Sequence, residues 1–420
     1  MEVGGVPCVV LTVCRVAVAL ALAPIASIFA SLVLAYTVPR RLAEKHPGWG
    51  WAAVPVGGLL GAAAGLAAVG PLGTVLWAMY GPSAPEEPFS FRTLKEARRH
   101  AIPREREVRA NAVKERHGRA LEFTNEVISD MYCHVVSPRD RPSRGILVMH
   151  HGLHSHGGAA RMLEIAVYFS QKGYTVYSCD AVGHGRSHGS FGTIPALEQL
   201  AKNFAAVVDS IRGKHPRQPI FLKGASMGGL IVLWSTFFME DETREEGLKG
   251  IISVCPALTV GDAAKSKFLI EFFKFLPVHF LANFVFPKLP LTKGPRGVSF
   301  SEDPELRRLA EEESDADPME YKGRLKFATA LTFTLTLMEE RASAYLVKLL
   351  QTVETPLLMQ HGTGDKTVDV GGSRTFIAGV KADKKSLIEY QGKSHVLLSE
   401  DEKTREKYLS DMFTFVNKLL

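Results

Sequence analysis

Two long apolar stretches open the chain. Val6 to Val38 is apolar apart from Arg15 and a few small polar residues, and Trp49 to Tyr80 carries no charge. Each exceeds the roughly 20 residues needed to cross a bilayer core. The polar run RRLAEKHPG, Arg40 to Gly48, separates them, so the pattern predicts a helical membrane hairpin over residues 1–81. Trp49, Trp51, Trp77 and Tyr80 lie near the ends of the second stretch, where interfacial aromatics are expected. Gly57, Gly61 and Gly65 recur every four residues, a spacing that lets helices approach closely. A cleaved signal peptide would carry a basic region before its apolar run, and no basic residue precedes Val9. GPSAPEEP, Gly81 to Pro88, has three prolines and reads as a linker.

Beyond residue 120 the pattern changes. Short apolar or β-rich runs predict strands at GILVMHH (145–151), YTVYSCD (174–180), PIFLKG (219–224), KGIISVC (249–255), TPLLMQH (355–361) and SLIEYQ (386–391). Helical stretches fall between and after them: Gly158–Lys172, Pro195–Lys214, Met227–Met239, Gly372–Lys381 and Asp401–Leu420. Strands alternating with helices predict an α/β fold with a doubly wound, mostly parallel sheet. Near-continuous apolar runs suit strands covered on both faces.

Charge refines the picture in one place. The net charge is +6, and residues 92–119 hold ten basic and four acidic residues, which accounts for the whole excess. After a membrane hairpin, such a segment (82–120 with the linker) suits contact with anionic lipid. No recognition motif for nucleic acid accompanies it. The five cysteines are widely spaced with no C-x-x-C, which argues against a disulfide framework or a zinc site. With no N-x-S/T sequon, this places the catalytic part on the cytosolic side of an intracellular membrane.

The chemistry centres on Gly224-Ala225-Ser226-Met227-Gly228, a G-x-S-x-G between the strand PIFLKG and the apolar stretch that follows. That strand–turn–helix setting is what a nucleophile elbow requires, and it makes Ser226 the candidate nucleophile. The base must follow, after an acid. His395, in YQGKSHVLL, lies just past the last strand, and Asp365 follows the strand TPLLMQH. His279 sits in a Phe-rich stretch and His361 ends a strand, so packing and loop support suit them better. Asp369 is the rival acid, but it is placed to begin the next helix. Backbone N–H groups of Leu153 and Met227 are the expected oxyanion donors. The reading requires no cofactor and no metal.

These residues resemble the monoglyceride lipase and lysophospholipase group of serine α/β-hydrolases, over residues 122 to 420. HHGLHSHGG (150–158) resembles the oxyanion loop and DAVGHGRSHG (180–189) the D-x-x-G-H-G-x-S-x-G segment. GASMGG (224–229) matches the elbow, HGTGDKTVD (361–369) the acid loop, YQGKSHVLL (390–398) the histidine loop, and DPMEYKG (317–323) the end of the cap. The resemblance implies an α/β-hydrolase domain over 121–420 with a cap at about 256–345, and a single-chain lipid ester as substrate. Ser155 stands where an acidic residue is usual, Met162 follows Arg161 where an aromatic is usual, and the hydrophobic hairpin is an addition. The segment 268–291, with Phe272, Phe273, Phe275, Phe280, Phe284 and Phe286, offers an acyl lining or a lipid-facing lid, and part of it must be ordinary packing. An acyltransferase or thioesterase would share the acyl-enzyme, and a non-catalytic membrane-anchored binding protein would keep only the scaffold.

Overall fold

The computed structural model describes Glu2–Val3, Val6–Pro7 and residues 120–420, except for 195, 259–266, 275–277, 280, 286 and 293–299. Two compact units separate, Met1–Pro85 with Phe280–Leu289 and Glu86–His279 with Pro290–Leu420; the central sheet lies in the second. The expected spans, linker and basic segment lie outside the described residues, except that Val6–Pro7 pairs antiparallel with Glu2–Val3. Among the described residues no helix is long and apolar enough to cross a membrane.

The second unit is built on eight strands: β1 (Leu121–Ile128), β2 (Met131–Pro138), β3 (Ile146–His150), β4 (Thr175–Cys179), β5 (Ile220–Ala225), β6 (Leu248–Val254), β7 (Leu357–Gly362) and β8 (Lys385–Tyr390). Their order across the sheet is β1-β2-β4-β3-β5-β6-β7-β8. From β4 to β8 every pairing is parallel, and β2 meets β4 antiparallel. Every residue of β3, β4 and β7 is buried, as expected of strands covered on both faces.

The β1–β2 hairpin has no counterpart in the sequence reading. Its loop is Ser129-Asp130, both with positive φ (45° and 63°), the conformation a two-residue hairpin turn needs. Neither residue is the glycine that usually signals such a turn, and β1 carries a run of polar residues, Thr124 to Glu126, at its centre.

The main helices are α1 (Ala160–Gln171), α2 (Leu197–Lys214), α3 (Met227–Ser235), α4 (Lys267–Lys274), α5 (Pro304–Ala316), α6 (Phe327–Phe333), α7 (Glu340–Leu350), α8 (Val370–Gly379) and α9 (Glu402–Lys418). One core layer joins α2, α3 and α8 to the sheet through residues such as Phe204, Ile231 and Phe376. The other joins α1 and α9 through Phe169, Tyr408 and Met412. Helices α4 to α7 belong to the segment between β6 and β7. Its α6 side docks on the loop before α2: Ile194 N–H donates to Thr329 Oγ1 at 2.9 Å, and Lys326 donates to the Phe191 carbonyl. Of the six phenylalanines expected to line an acyl site, Phe273 is buried against Phe327, with ring centroids 5.8 Å apart. That is a packing role. The side chains of the other five lie outside the described residues.

Candidate active site

Strands β3, β5, β7 and β8 deliver the candidate groups at their carboxyl ends, with β6 between β5 and β7. Ser226 follows β5 and caps α3 with φ 58° and ψ −121°, a left-handed conformation that is strained for serine. Its N–H donates to the Val254 carbonyl at the end of β6, and its own carbonyl accepts from Ala257 N–H. The turn is tight enough to exclude side chains on either flank. A Cβ at Gly224 would lie 2.0 Å from the Gly228 carbonyl oxygen, and one at Gly228 would lie 2.4 Å from that of His150. Met227 opens α3, so its N–H is one of the helix's first four, which have no intrahelical acceptor.

Asp365 and His395 meet. His395 Nδ1 donates to Asp365 Oδ2 at 2.5 Å. The other carboxylate oxygen accepts from Thr367 N–H and Val368 N–H at 2.7 and 2.9 Å. Burial works to raise the Asp365 carboxyl, but the hydrogen bonds from His361 and His395 outweigh it and hold it well below the usual carboxylate range. With Nδ1 committed as donor, Nε2 is the basic nitrogen of His395. The histidine loop packs on the end of β7, where a Cβ at Gly362 would lie 2.3 Å from the Lys393 carbonyl oxygen. Glu400 pins that loop by accepting from both Ser394 N–H and Oγ–H. Asp369 caps α8 by accepting from Gly371 N–H, the place expected for it. His361 supports the acid loop, as expected, and does so at the carboxylate itself: its Nε2 donates to Asp365 Oδ2 at 3.2 Å.

The oxyanion loop lies against the elbow. A Cβ on Gly152, beside Leu153, would be 3.5 Å from Ser226 Cβ. The loop is held from two directions. His151 Nδ1 donates to the Gly152 carbonyl at 2.7 Å while its Nε2 accepts from Ala181 N–H at 2.9 Å. Asp180 accepts from Gly157 N–H and Arg186 N–H. Burial opposes the charge on Asp180, yet His134 and His156 hold its carboxyl well below the usual range. The second hold comes from DPMEYKG: Asp317 accepts from His156 Nε2 at 2.9 Å, and Tyr321 N–H donates to the His154 carbonyl at 2.9 Å. His156 is buried, which lowers its affinity for a proton, but Asp317 and then Asp180 raise it to about 8.

A row of rings runs through this region. His150 stacks on His151 at 5.1 Å, His184 lies 5.1 Å beyond, and His154 bridges from His184 to Tyr321 at 6.5 and 4.7 Å. The Nε2 atoms of His150, His154 and His184 are shielded without a hydrogen-bond partner. Burial first, and neighbouring imidazoles after it, lowers His150 to about 4, His154 to about 3 and His184 to about 4. Motif reading had flagged the loops but not this packing between them. Two clusters of polar side chains gather here, His134/His156/Asp180 and Cys255/His361/Asp365, the ligand-type atoms of each lying within 4.8 Å of one another. In the first, backbone N–H groups of Gly157 and Arg186 already occupy both carboxylate oxygens of Asp180.

Residues 141–402 match the Hydrolase_4 family, described as serine aminopeptidase, S33. The monoacylglycerol lipase of Mycolicibacterium smegmatis is 30% identical over 265 residues, covering 63% of this chain and 85% of that protein. Human monoglyceride lipase is 26% identical over 272 residues, covering 64% of this chain and 81% of its own. The crystal structure of the Paleococcus ferrophilus monoacylglycerol lipase aligns with a TM-score of 0.55 at 24% identity, over 69% of this chain and 99% of that one. The family match spans more than half of the chain, and the chain belongs to this family of α/β-hydrolases as a serine ester hydrolase similar to the monoglyceride lipases.

Proposed function

We propose that the protein cleaves single-chain lipid esters, such as monoacylglycerols or lysophospholipids, through an acyl-enzyme. The observation that carries this reading is the His395–Asp365 hydrogen bond, formed at the strand edge where Ser226 sits in its strained elbow. Ser226 Oγ attacks the ester carbonyl and His395 Nε2 takes its proton. Leu153 and Met227 N–H groups stabilise the oxyanion, and the alcohol leaves with the proton from His395. Water then repeats the sequence on the acyl-enzyme. Asp365 fixes the His395 tautomer and stabilises the imidazolium. The lipases among the relatives support the substrate class.

Residues 6–80 anchor the enzyme at an intracellular membrane, where such lipids partition, with the catalytic domain toward the cytosol. The free thiols of Cys133, Cys179 and Cys255 suit that compartment. The test is kcat/KM over an ester series of rising acyl length, beside Ser226→Ala. Each buried methylene contributes about 0.8 kcal/mol, so kcat/KM rises with chain length until the site is full. A flat profile, or a preference for acetyl esters, refutes the lipid substrate. Full turnover by Ser226→Ala refutes the nucleophile.

A further inference from the structure

Asp365 has a second imidazole on it. His361, on β7, is fully buried, and both of its ring nitrogens are engaged. Nε2 has two neighbours, Asp365 Oδ2 at 3.2 Å and the Val368 carbonyl oxygen at 3.2 Å. Both are acceptors, so the proton sits on Nε2. Nδ1 is then an acceptor, and Ser373 Oγ on α8 donates to it at 2.7 Å. The buried Ser373 hydroxyl therefore fixes the tautomer of His361, and His361 delivers its N–H to the same carboxylate oxygen that receives the proton of His395. A line of hydrogen bonds runs from Ser373 through His361 and Asp365 to His395.

We propose that His361 is a positioning residue for ester hydrolysis, one that aims Asp365 Oδ2 and sets how strongly it holds the Nδ1 proton of His395, with Ser373 fixing the tautomer of His361. The proposal rests on the reading of Asp365 and His395 as acid and base. The groups facing the carboxylate are few. His361 lies on β7, His395 follows β8 and Cys255 follows β6, with Lys223 of β5 beyond Cys255. Burial, and after it Asp365, keeps the Cys255 thiol protonated. A donor to an ionised carboxylate makes it less basic. Removing that donor leaves a carboxylate that draws the His395 proton more strongly and is less well aimed.

The test uses the full chain and a soluble medium-chain nitrophenyl ester. His361→Leu removes the donor. His361→Gln places an amide N–H near the position of Nε2. In His361→Leu, kcat falls on the order of ten- to a hundredfold with KM little changed, and the acid limb of kcat/KM moves to higher pH. His361→Gln recovers most of both. Ser373→Ala, which touches neither Asp365 nor His395, shifts the limb in the same direction by less. The low-field proton resonance of the His395–Asp365 bond moves in His361→Leu and returns in His361→Gln. Equal impairment of both His361 variants, or an unmoved acid limb and resonance in all three, overturns the proposal. If Ser226→Ala is inactive in the same assay, such a result leaves the triad standing. If Ser226→Ala is active, the triad reading fails and this proposal with it.

Discussion

Tyr321 N–H donates to the carbonyl of His154 at 2.9 Å, a bond from the segment after α5 to the loop that carries the candidate oxyanion donor Leu153. Four residues earlier in the chain, Asp317 accepts from His156. Together they clasp the oxyanion loop from outside the sheet. Asp317→Ala leaves a buried imidazole without its partner. The expected outcome is a loss of about 1.5–3 kcal/mol in stability, together with a fall in kcat. Thermal melting and ester turnover check this, and unchanged values for both would show that the clasp is passive.

Asp365 and Asp369 are separated by role. Asp365→Asn lowers kcat by on the order of 10⁴, as loss of a triad acid does. Asp369→Asn leaves it near wild type, since asparagine caps a helix as well as aspartate does. A paired assay of the two variants decides the matter, and the reverse ranking would exchange the assignments.

Acid sensitivity follows from the ring row. His150, His154 and His184 have folded-state values of about 4, 3 and 4 against 6.5 for a free imidazole. Above pH 6.5 they are neutral in both states and contribute no pH dependence. As pH falls below 6.5 the unfolded chain takes up protons that the folded one refuses. Stability therefore drops, by up to about 1.4 kcal/mol per pH unit for each ring, until the folded values are reached. His156, raised to about 8, has the opposite sign: its contribution is complete below 6.5 and is lost as pH rises through 8. Stability against pH is expected to be greatest around 6.5. His154→Gly, which also suits the positive φ of 65°, should lessen the acid slope by about one proton. Denaturant titrations from pH 4 to 9 measure this.

The elbow is intolerant of volume. A Cβ at Gly228 would press on the carbonyl oxygens of His150 and His151 at 2.4 and 2.6 Å. Gly228→Ala should cost about 1–3 kcal/mol, the range for overpacking, and should lower kcat by displacing the end of β3. Activity and melting at wild-type values would show that the turn has more room than its geometry allows.

The anchor proposal has a simple outcome. A chain beginning at Pro88 should leave the membrane fraction on washing with salt or carbonate and still cleave a short-chain ester. A folded but inactive product would mean that the preceding residues belong to the active site.

The sheet from β3 to β7 was legible because its strands are largely apolar runs bounded by punctuation, which burial on both faces demands, and the edge strand β8 by its short β-rich run. The elbow was legible because close approach admits only glycine two residues to either side of Ser226. Asp369 was recognisable as a cap by its position before a helix. The β1–β2 hairpin was hidden by the polar centre of its outer strand and by a Ser-Asp turn. His361 was read as loop support because its decisive neighbours, Asp365 and Ser373, come together only when the acid loop turns back on β7. The ring row was illegible for the same reason: each of its three segments carries a motif, but their stacking is set only when the fold brings them together.

The segment between β6 and β7 leaves the sheet and returns to it on neighbouring parallel strands, and Ile251 N–H donating to the Pro356 carbonyl fixes the return. Its two ends are thus fixed one strand spacing apart across the sheet, roughly 4.8 Å, and at opposite ends of the paired strands, whatever the intervening chain does. Such a socket accepts replacement. Over evolutionary time the inserted chain can lengthen, shrink or change composition while Ser226, Asp365 and His395 keep their strand ends. A lineage can in this way exchange one ester for another without passing through an ancestor that has lost its chemistry.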